Sequence, residues 1–371
     1  MTGHLAYAHV RGPGSRMAEQ TELGWQPTCK QGECIGICLP SARMCLAHAS
    51  KEENAVALDR IGETGEIDAR GVPITPALLE RILTAAPRGE KGEPLIKGCW
   101  FARATFSGDA DFGQATFEGV AHFYRATFKG NAYFNGATFS GDAYFASATF
   151  SHEARFSEAT LSNANFAGAT FKGDWAWFLE ATFTGDAGFG KATFERGARF
   201  DGAKFEQARQ FGPLLAHQGL VLDEVQFAQP VRIEVSSNAV CCRRARFPGG
   251  VQFRLRWACV VLDDTDLAAP SILTGIPRLS SEESEELARQ EEQITRIWQQ
   301  ELAGEISERP QLVSLRRADV AGLGLSNVSA ADCRFAGAHN LDKLRLDPVF
   351  AHGISLREPA GPADIGVEEV E

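Results

Sequence analysis

The feature that most constrains this chain is a phenylalanine, once replaced by leucine, that recurs at every fifth or sixth residue between residues 101 and 211. The two spacings alternate, so the unit has 11 residues and reads close to A-T-F-x-G-x-A-x-F-x-x. An alanine lies two residues before almost every phenylalanine, and residues two apart point to the same side of an extended chain. The pattern therefore predicts short strands that turn Ala and Phe inward. With 25 Phe and 37 Gly but only 3 Met, the composition also favours a stacked repeat over an ordinary globular core.

The length of one coil follows from an irregularity in the spacing. Between Phe156 and Phe178 the steps run five, five, five and seven, so a residue is missing near Ser162 and Asn163 and one is added near Trp175. Phe156 and Phe178 are nevertheless 22 residues apart, the same distance as four regular steps. A loss and a gain that cancel are expected if a register of 22 residues must be restored. Residues 101–211 are therefore predicted to form about five coils.

Residues 99–211 resemble the pentapeptide-repeat family in its A-x-F variant, with one extra residue in every second repeat. The resemblance implies an all-β solenoid, a right-handed quadrilateral parallel β-helix with four short faces per coil and phenylalanines stacked along the axis. The pair Gly212-Pro213 breaks the pattern, and we expect residues 212–275 to continue the β-helix as degenerate coils. Residues 310–347 echo the commoner A-(D/N)-L repeat and predict terminal coils.

The outward positions decide what such a rod can bind. In a coil of 22 residues, one outward column comprises Asp111, Tyr133, Arg155, Trp177 and Arg199. Aromatic and arginine side chains on a rigid, flat face suit protein recognition. We therefore predict an interaction face along this column. The alternative is a set of solvated repeat positions that happen to include aromatic residues.

A group of cysteines precedes the repeat, in residues 25–50. It has the spacing C-x4-C-x3-C-x6-C-x2-H. Structural zinc takes four Cys or His ligands from short, closely spaced pairs, so Cys29 with Cys34 and Cys45 with His48 are the predicted ligands. Cys38 is the alternative to Cys34. The site would be structural rather than catalytic, because all four positions are filled. The competing interpretation is a set of thiols packed under a loop.

The remaining segments flank the solenoid. We predict a disordered tail at 1–24, a helical cap at 51–98, a charged helix at 278–304 that lies against the solenoid, and a flexible acidic tail at 348–371. A solenoid needs such caps because its end coil exposes both core and unpaired strand edge. The start of the chain lacks the apolar core of a signal peptide, and either Met1 or Met17 can begin translation.

Charge limits the functions that the repeat can perform. The net charge is −11, yet residues 99–211 contain 12 acidic and 10 basic residues. The family resemblance implies one alternative function, because some pentapeptide-repeat proteins mimic DNA and bind type II topoisomerases such as gyrase. DNA mimicry needs a strongly negative surface, which a nearly neutral repeat does not provide.

Missing motifs limit the function further. The sequence contains no phosphate-binding loop, dinucleotide fingerprint or nucleophile elbow, and no apolar run approaches the ~20 residues that span a bilayer. The Cys/His segment carries only Lys30 and Arg43 against Glu33, so we expect no nucleic-acid binding through it. We predict a cytoplasmic, non-enzymatic scaffold that binds an unidentified protein partner, and a homodimer through a solenoid end remains open.

Overall fold

The computed structural model describes residues 29–40, 42–278, 281–301 and 309–346. The tails predicted at 1–24 and 348–371 lie outside the described residues.

The described chain forms a parallel β-solenoid of about 11 turns, as the repeat predicts. Its strands form three sheets. The twelve-stranded sheet contains Pro73–Ile74, Thr105–Phe106, Thr127–Phe128, Thr149–Phe150, Thr170–Phe171, Thr193–Phe194, Gln210–Ala216, Val231–Ser237, Val251–Arg256, Ser271–Gly275, Leu323–Ser326 and Arg345–Leu346. The nine-stranded sheet contains Ala110–Asp111, Ala132–Tyr133, Ala154–Arg155, Trp175–Trp177, Gly197–Arg199, Gly219–Val221, Ala239–Cys241, Cys259–Val261 and Gln311–Ser314. The eleven-stranded sheet contains Glu66–Asp68, Leu95–Ile96, Gly98–Trp100, Thr116–Phe117, Ala121–His122, Thr138–Tyr144, Thr160–Asn165, Thr182–Phe183, Ala187–Gly188, Lys204–Phe205 and Gln226–Phe227.

Each coil of the repeat contributes to four columns of strands. Positions 105, 110, 116 and 121 pair with positions 127, 132, 138 and 143 of the next coil. In all four columns the paired positions are 22 residues apart, which is also the separation of Phe156 and Phe178 in the sequence. The eleven-stranded sheet includes two of these columns, because Thr138–Tyr144 and Thr160–Asn165 run through the corner between them. The predicted four-sided coil and its predicted length are therefore confirmed.

The cancelling irregularity lies where the spacing predicts it. Phe139 pairs with Leu161 at the regular offset, and the register then shifts by one position, so that Asp142 pairs with Asn163. The offset between paired positions returns to its regular value two faces later, where Ala154 pairs with Ala176. The deletion and the insertion cancel within a single turn, so this coil stays in register with the coils above and below it.

The coils that follow Gly212 are shorter and regular, which refines the expectation of degenerate coils. Arg232 pairs with Gln252, and Gln252 pairs with Ile272. The paired positions are 20 residues apart, so each of these coils is two residues shorter than the earlier coils. Branched aliphatic residues such as Ile233 and Leu273 replace most of the phenylalanines in this core.

The core of the first coils is a set of stacked phenylalanine rings. Phe123 and Phe145, in successive coils, lie with ring centroids 4.8 Å apart and planes within 2° of parallel. Within a coil the rings meet edge to face, as Phe145 does with Phe156 at 5.3 Å. Both geometries are favourable for aromatic quadrupoles and are worth about 0.5–1.5 kcal/mol per pair beyond burial. These phenylalanines are completely buried, so the stack stabilises the coils between residues 101 and 211.

Two helices cover the N-terminal end of the solenoid. Helix α1 spans Lys51–Thr64 and begins at a reciprocal capping box between Ser50 and Glu53. Helix α2 spans Pro76–Ala85 and buries an apolar face against the first coil, with Leu78, Leu79 and Ile82 inside. The predicted helical cap at 51–98 is thus only partly helical, because strands of the first turn alternate with the helices.

The predicted charged helix is present as α3, Ser281–Glu301, inserted between two strands of successive coils. It lies on the flank of the twelve-stranded sheet. The indole Nε1 of Trp298 donates to the carbonyl oxygen of His217 at 3.0 Å, and the Ser236 hydroxyl donates to Glu291 at 2.6 Å. Glu291 also pairs with Arg256 at 3.4 Å, and both side chains are almost fully buried. This buried ion pair and the buried Trp298 side chain hold the largely charged helix against the sheet.

Corner glycines allow successive coils to approach closely, and this can be tested. A Cβ on Gly130 would lie 2.4 Å from the backbone carbon of Gly108 in the previous coil, whereas one on Gly190 would have its nearest neighbour at 3.9 Å. Gly130→Ala is therefore expected to lower the free energy of unfolding by about 1–3 kcal/mol. Gly190→Ala, the control, should change it much less in denaturant titrations, and equal effects would contradict the close-approach argument.

Candidate metal centre and exposed faces

Four predicted ligands meet in the segment before α1. The ligand atoms of Cys29, Cys34, Cys45 and His48 all lie within 4.8 Å of one another. The Cys34 and Cys45 sulfurs are 3.8 Å apart, and His48 Nδ1 lies 3.5 Å from the Cys29 sulfur and 3.4 Å from the Cys45 sulfur. A tetrahedral ion with metal–sulfur bonds of about 2.3 Å and a metal–nitrogen bond of about 2.1 Å would place its ligands roughly 3.5–3.8 Å apart. The four side chains therefore fit a metal ion.

Backbone groups support this cluster. The N–H of Gly36 donates to the Cys34 sulfur and the N–H of Cys45 donates to the Cys29 sulfur, both at 3.4 Å. Burial acts to raise the pKa of Cys29, but hydrogen bonds from backbone groups and from His48 outweigh it and lower the pKa to about 6. Burial and the neighbouring thiols raise the pKa of Cys45 to about 12. The Cys29 thiol therefore loses its proton readily. The Cys45 thiol would lose its proton only with a positive charge close to the sulfur atoms.

Cys38, the alternative ligand, lies outside the group of four. Its backbone pairs with that of Cys45 in an antiparallel bridge, and its side chain packs against the hydrophobic core. The adjacent Ile37 N–H donates to the carbonyl oxygen of Arg70 at 2.9 Å, which joins the Cys/His segment to the first turn of the solenoid. A metal ion that orders the Cys/His segment would therefore also fix the position of the loop that contains Ile37 and Cys38.

The five residues of the predicted interaction face form one column on the nine-stranded sheet, here called the outer column. Tyr133 pairs in register with Asp111 and Arg155, and Trp177 pairs with Arg155 and Arg199. The five side chains are exposed or half-buried. The structure thus brings all five together on one surface, at the spacing of adjacent strands.

The arginines of the outer column are held against its rings. The Arg155 guanidinium lies 5.7 Å from the Tyr133 ring centroid, and the Arg199 guanidinium lies 5.6 Å from a Trp177 ring. Each arginine also pairs with an acid two residues away, Arg155 with Glu153 at 2.7 Å and Arg199 with Asp201 at 2.8 Å. The hydrogen bond that Arg199 donates to Asp201 raises the pKa of Arg199. Side chains ordered in this way lose little rotamer freedom when a partner binds.

Trp175 lies on the same surface, although the repeat pattern does not predict it as part of the interaction face. It is half-buried and pairs with Gly197, and a Cβ on Gly197 would come within 2.5 Å of the Trp175 ring. The indole therefore covers the glycine of the next coil and widens the aromatic area beside Trp177. The sequence indicates this position through the residue inserted near Trp175, because the insertion puts a second tryptophan on the outward side of the strand.

A histidine and two cysteines are buried in the described coils. His122 is 4% exposed, and burial, together with the charge of Arg70, lowers its pKa to about 4, so its imidazole is neutral. Cys241 and Cys242 are buried among core residues, and burial raises the pKa of both thiols. Neither cysteine is part of a metal-ligating cluster in the described residues.

The parallel sheets, the four strand columns and the stacked aromatic core define the class of the described chain as a parallel β-solenoid built from five-residue steps. Residues 96–138, 134–178 and 166–209 match the family model of pentapeptide repeats (9 copies). Residues 96–209 therefore carry pentapeptide repeats, and this match covers about a third of the 371 residues. No curated protein and no solved structure matches the chain. Within the described ranges, none of the helices combines the length and apolar character that a membrane span requires.

Proposed function

We propose that this protein is a non-enzymatic scaffold that binds a protein partner through the outer column of its solenoid. The ordered stack from Asp111 to Arg199 carries the proposal. Its rings and guanidinium groups lie on a parallel sheet whose inner side is a continuous aromatic core, so the surface is rigid before binding. Tyrosine, tryptophan and arginine are the residues that most often dominate the energetics of protein interfaces. Pentapeptide-repeat solenoids are typically non-enzymatic.

We also propose that the Cys/His segment holds a structural zinc ion. Three thiolates and one imidazole nitrogen are a closed donor set for tetrahedral zinc and leave no position for water or substrate. Cys29, Cys34, Cys45 and His48 would be the ligands. The role of the ion is then to fold a short segment that buries little core of its own.

The outer column can be tested by removing its rings. The double variant Tyr133→Ser and Trp177→Ser should abolish capture of a protein that the unaltered chain retains from a lysate of its natural host, because interface aromatic residues each contribute about 2 kcal/mol or more. The control is Tyr144→Ser, which removes an outward ring from the eleven-stranded sheet. Retention of the same proteins by the double variant would reject the outer column as the binding surface.

A gyrase supercoiling assay tests the alternative of DNA mimicry. The outer column contains arginines, and the matched repeat is nearly neutral, so we expect no inhibition and no protection of the enzyme at micromolar protein. Inhibition that survives loss of the two rings would favour DNA mimicry over the scaffold.

A further inference from the structure

A polar groove lies where strands of the twelve-stranded sheet begin, at the point where the coils change length. Gln210 pairs with Arg232 at an offset of 22 residues, and Arg232 pairs with Gln252 at an offset of 20. The groove has a volume of about 340 Å³, within the range of about 300–1,000 Å³ that is usual for binding sites. Its lining includes Gly249 and Gly250 and no residue of the outer column.

The charged side chains that line this groove are all positive. They belong to Arg209 and Arg232, which are both exposed, and the neutral side chains of Gln210 and Gln252 lie beside them. Arg209 donates to the side-chain oxygen of Gln229 at 3.4 Å. Within the described residues, neither arginine pairs with a carboxylate. The groove therefore favours a negatively charged occupant over a positively charged one.

Neighbouring coils of this part of the solenoid match their arginines with acids. In six ion pairs of 2.6–3.4 Å, an arginine of one coil meets an acid of the adjacent coil: Arg243 with Asp223, Arg244 with Glu224, Arg254 and Arg256 with Glu234, Arg316 with Asp263, and Arg317 with Asp264. Arg209 and Arg232 also lie on adjacent coils, since the Arg232 N–H donates to the carbonyl oxygen of Arg209 at 3.0 Å. Here, however, two like charges are neighbours, and an anion between them would relieve their repulsion.

An acidic segment of the same chain is within reach of the groove. Residues 364–371, here called the acidic segment, read DIGVEEVE and contain four acidic residues and no basic one. The last described strand, Arg345–Leu346, lies four strands from Arg232 on the twelve-stranded sheet, about 20 Å at the spacing of adjacent strands. The 17 residues from 347 to 363 can span up to about 60 Å when extended. Distance therefore does not prevent the contact.

We propose that the acidic segment binds in this groove, with its carboxylates on the guanidinium groups of Arg209 and Arg232. Arginine can bind a carboxylate through two parallel hydrogen bonds, which are stronger than hydrogen bonds between neutral groups. Covalent attachment gives the segment an effective concentration of about 1 mM at the groove, so a weak contact is sufficient for occupancy. The segment would supply the negative charge that the neighbouring coils obtain from their own acids.

The first test uses the full chain and a fluorescently labelled peptide with the sequence of residues 358–371. A neutral-segment variant carries Asp364→Asn, Glu368→Gln, Glu369→Gln and Glu371→Gln. We expect the peptide to bind this variant at least about tenfold more tightly than it binds the unaltered chain, whose own segment competes for the groove. A peptide with the same four neutral residues should bind neither protein. Equal binding of the acidic peptide to both proteins would show that the segment does not occupy the groove.

Two arginine substitutions in the neutral-segment variant locate the bound peptide. Arg232→Gln removes a charge that lines the groove, whereas Arg246→Gln removes the same charge at an exposed position outside it. Arg232→Gln should weaken peptide binding about tenfold, as loss of a charge-assisted hydrogen bond implies. Arg246→Gln should weaken it less than about twofold. Equal losses would indicate non-specific attraction to basic side chains and would overturn the proposal.

Carbodiimide cross-linking tests the contact within one chain that keeps its acidic segment. Arg232→Lys retains the positive charge and adds an amine that the reagent can join to a carboxylate, and Arg246→Lys is the matched control. Mass mapping of the monomer fraction should find position 232 joined to residues 364–371 at least about tenfold more often than position 246. Equal yields from the two positions, or no link from position 232, would contradict the proposal. Links found only in dimers would assign the segment to a second copy of the chain instead.

Discussion

Replacing Cys45 by serine is expected to abolish metal binding and to open the Cys/His segment. Cys45 is fully buried, and its sulfur lies 3.8 Å from the Cys34 sulfur and 3.4 Å from His48 Nδ1. Purified protein should contain one zinc ion per chain by elemental analysis, and the Cys45→Ser protein less than about a tenth of that. Structural zinc supplies an apparent free energy of about 10–16 kcal/mol to small modules of this kind, so its loss should unfold residues 29–50.

The matched control for this prediction is Cys38→Ser. Cys38 is a cysteine of the same segment that lies outside the group of four, so its replacement should retain the full zinc content. Limited proteolysis should then cut the segment in Cys45→Ser and in chelator-treated protein but not in Cys38→Ser. The solenoid from residue 99 onward should resist cleavage in all of them, because its sheets and its phenylalanine stack are formed by residues outside the segment. Zinc retained by Cys45→Ser, or lost from Cys38→Ser, would show that the ligand set is different.

The solenoid was predictable from sequence because its determinants are local and repeated. Each inward Phe is specified by the Ala two residues before it, and the register of neighbouring coils can be read from a single irregular turn around Trp175. The Cys/His cluster was predictable for a similar reason, since its four members all lie in the short segment from Cys29 to His48. In both cases short-range pattern is sufficient to determine which side chains meet.

The features that could not be predicted depend on contacts between distant parts of the chain. The position of the loop around Ile37 depends on a hydrogen bond from the Ile37 N–H to the carbonyl oxygen of Arg70, in the first turn of the solenoid. The sequence predicts that helix α3 lies against the solenoid but not which sheet it covers, because its place on the twelve-stranded sheet depends on contacts such as the hydrogen bond from Trp298 to the carbonyl oxygen of His217, far earlier in the chain. The shortening of the coil after Gly212 also has no single marker, because branched aliphatic residues replace the phenylalanines at that point.

Replacing Phe145 by alanine is expected to be among the most destabilising single changes in the repeat. Phe145 is fully buried, and its ring is stacked between Phe123 at 4.8 Å and Phe166 at 4.9 Å while it meets Phe134 and Phe156 edge to face. Removal of a buried Phe side chain costs about 3–5 kcal/mol, since the apolar contacts are lost and a cavity remains. Rigid coils above and below leave little scope for collapse into that cavity, so we expect the upper part of this range.

The control for Phe145→Ala is the preceding residue, Tyr144, whose side chain points outward, away from the core. Tyr144 is half-buried and its hydroxyl donates to Asp142 at 2.7 Å, so Tyr144→Ala should lower the free energy of unfolding by only about 1 kcal/mol. Urea titration of both variants, followed by far-ultraviolet circular dichroism, measures the difference. If Phe145→Ala costs clearly less than the usual range for loss of a buried Phe, the neighbouring coils can close the cavity. The outer column could not then be regarded as a surface held rigid by the phenylalanine stack beneath it, and the scaffold proposal would lose its physical basis.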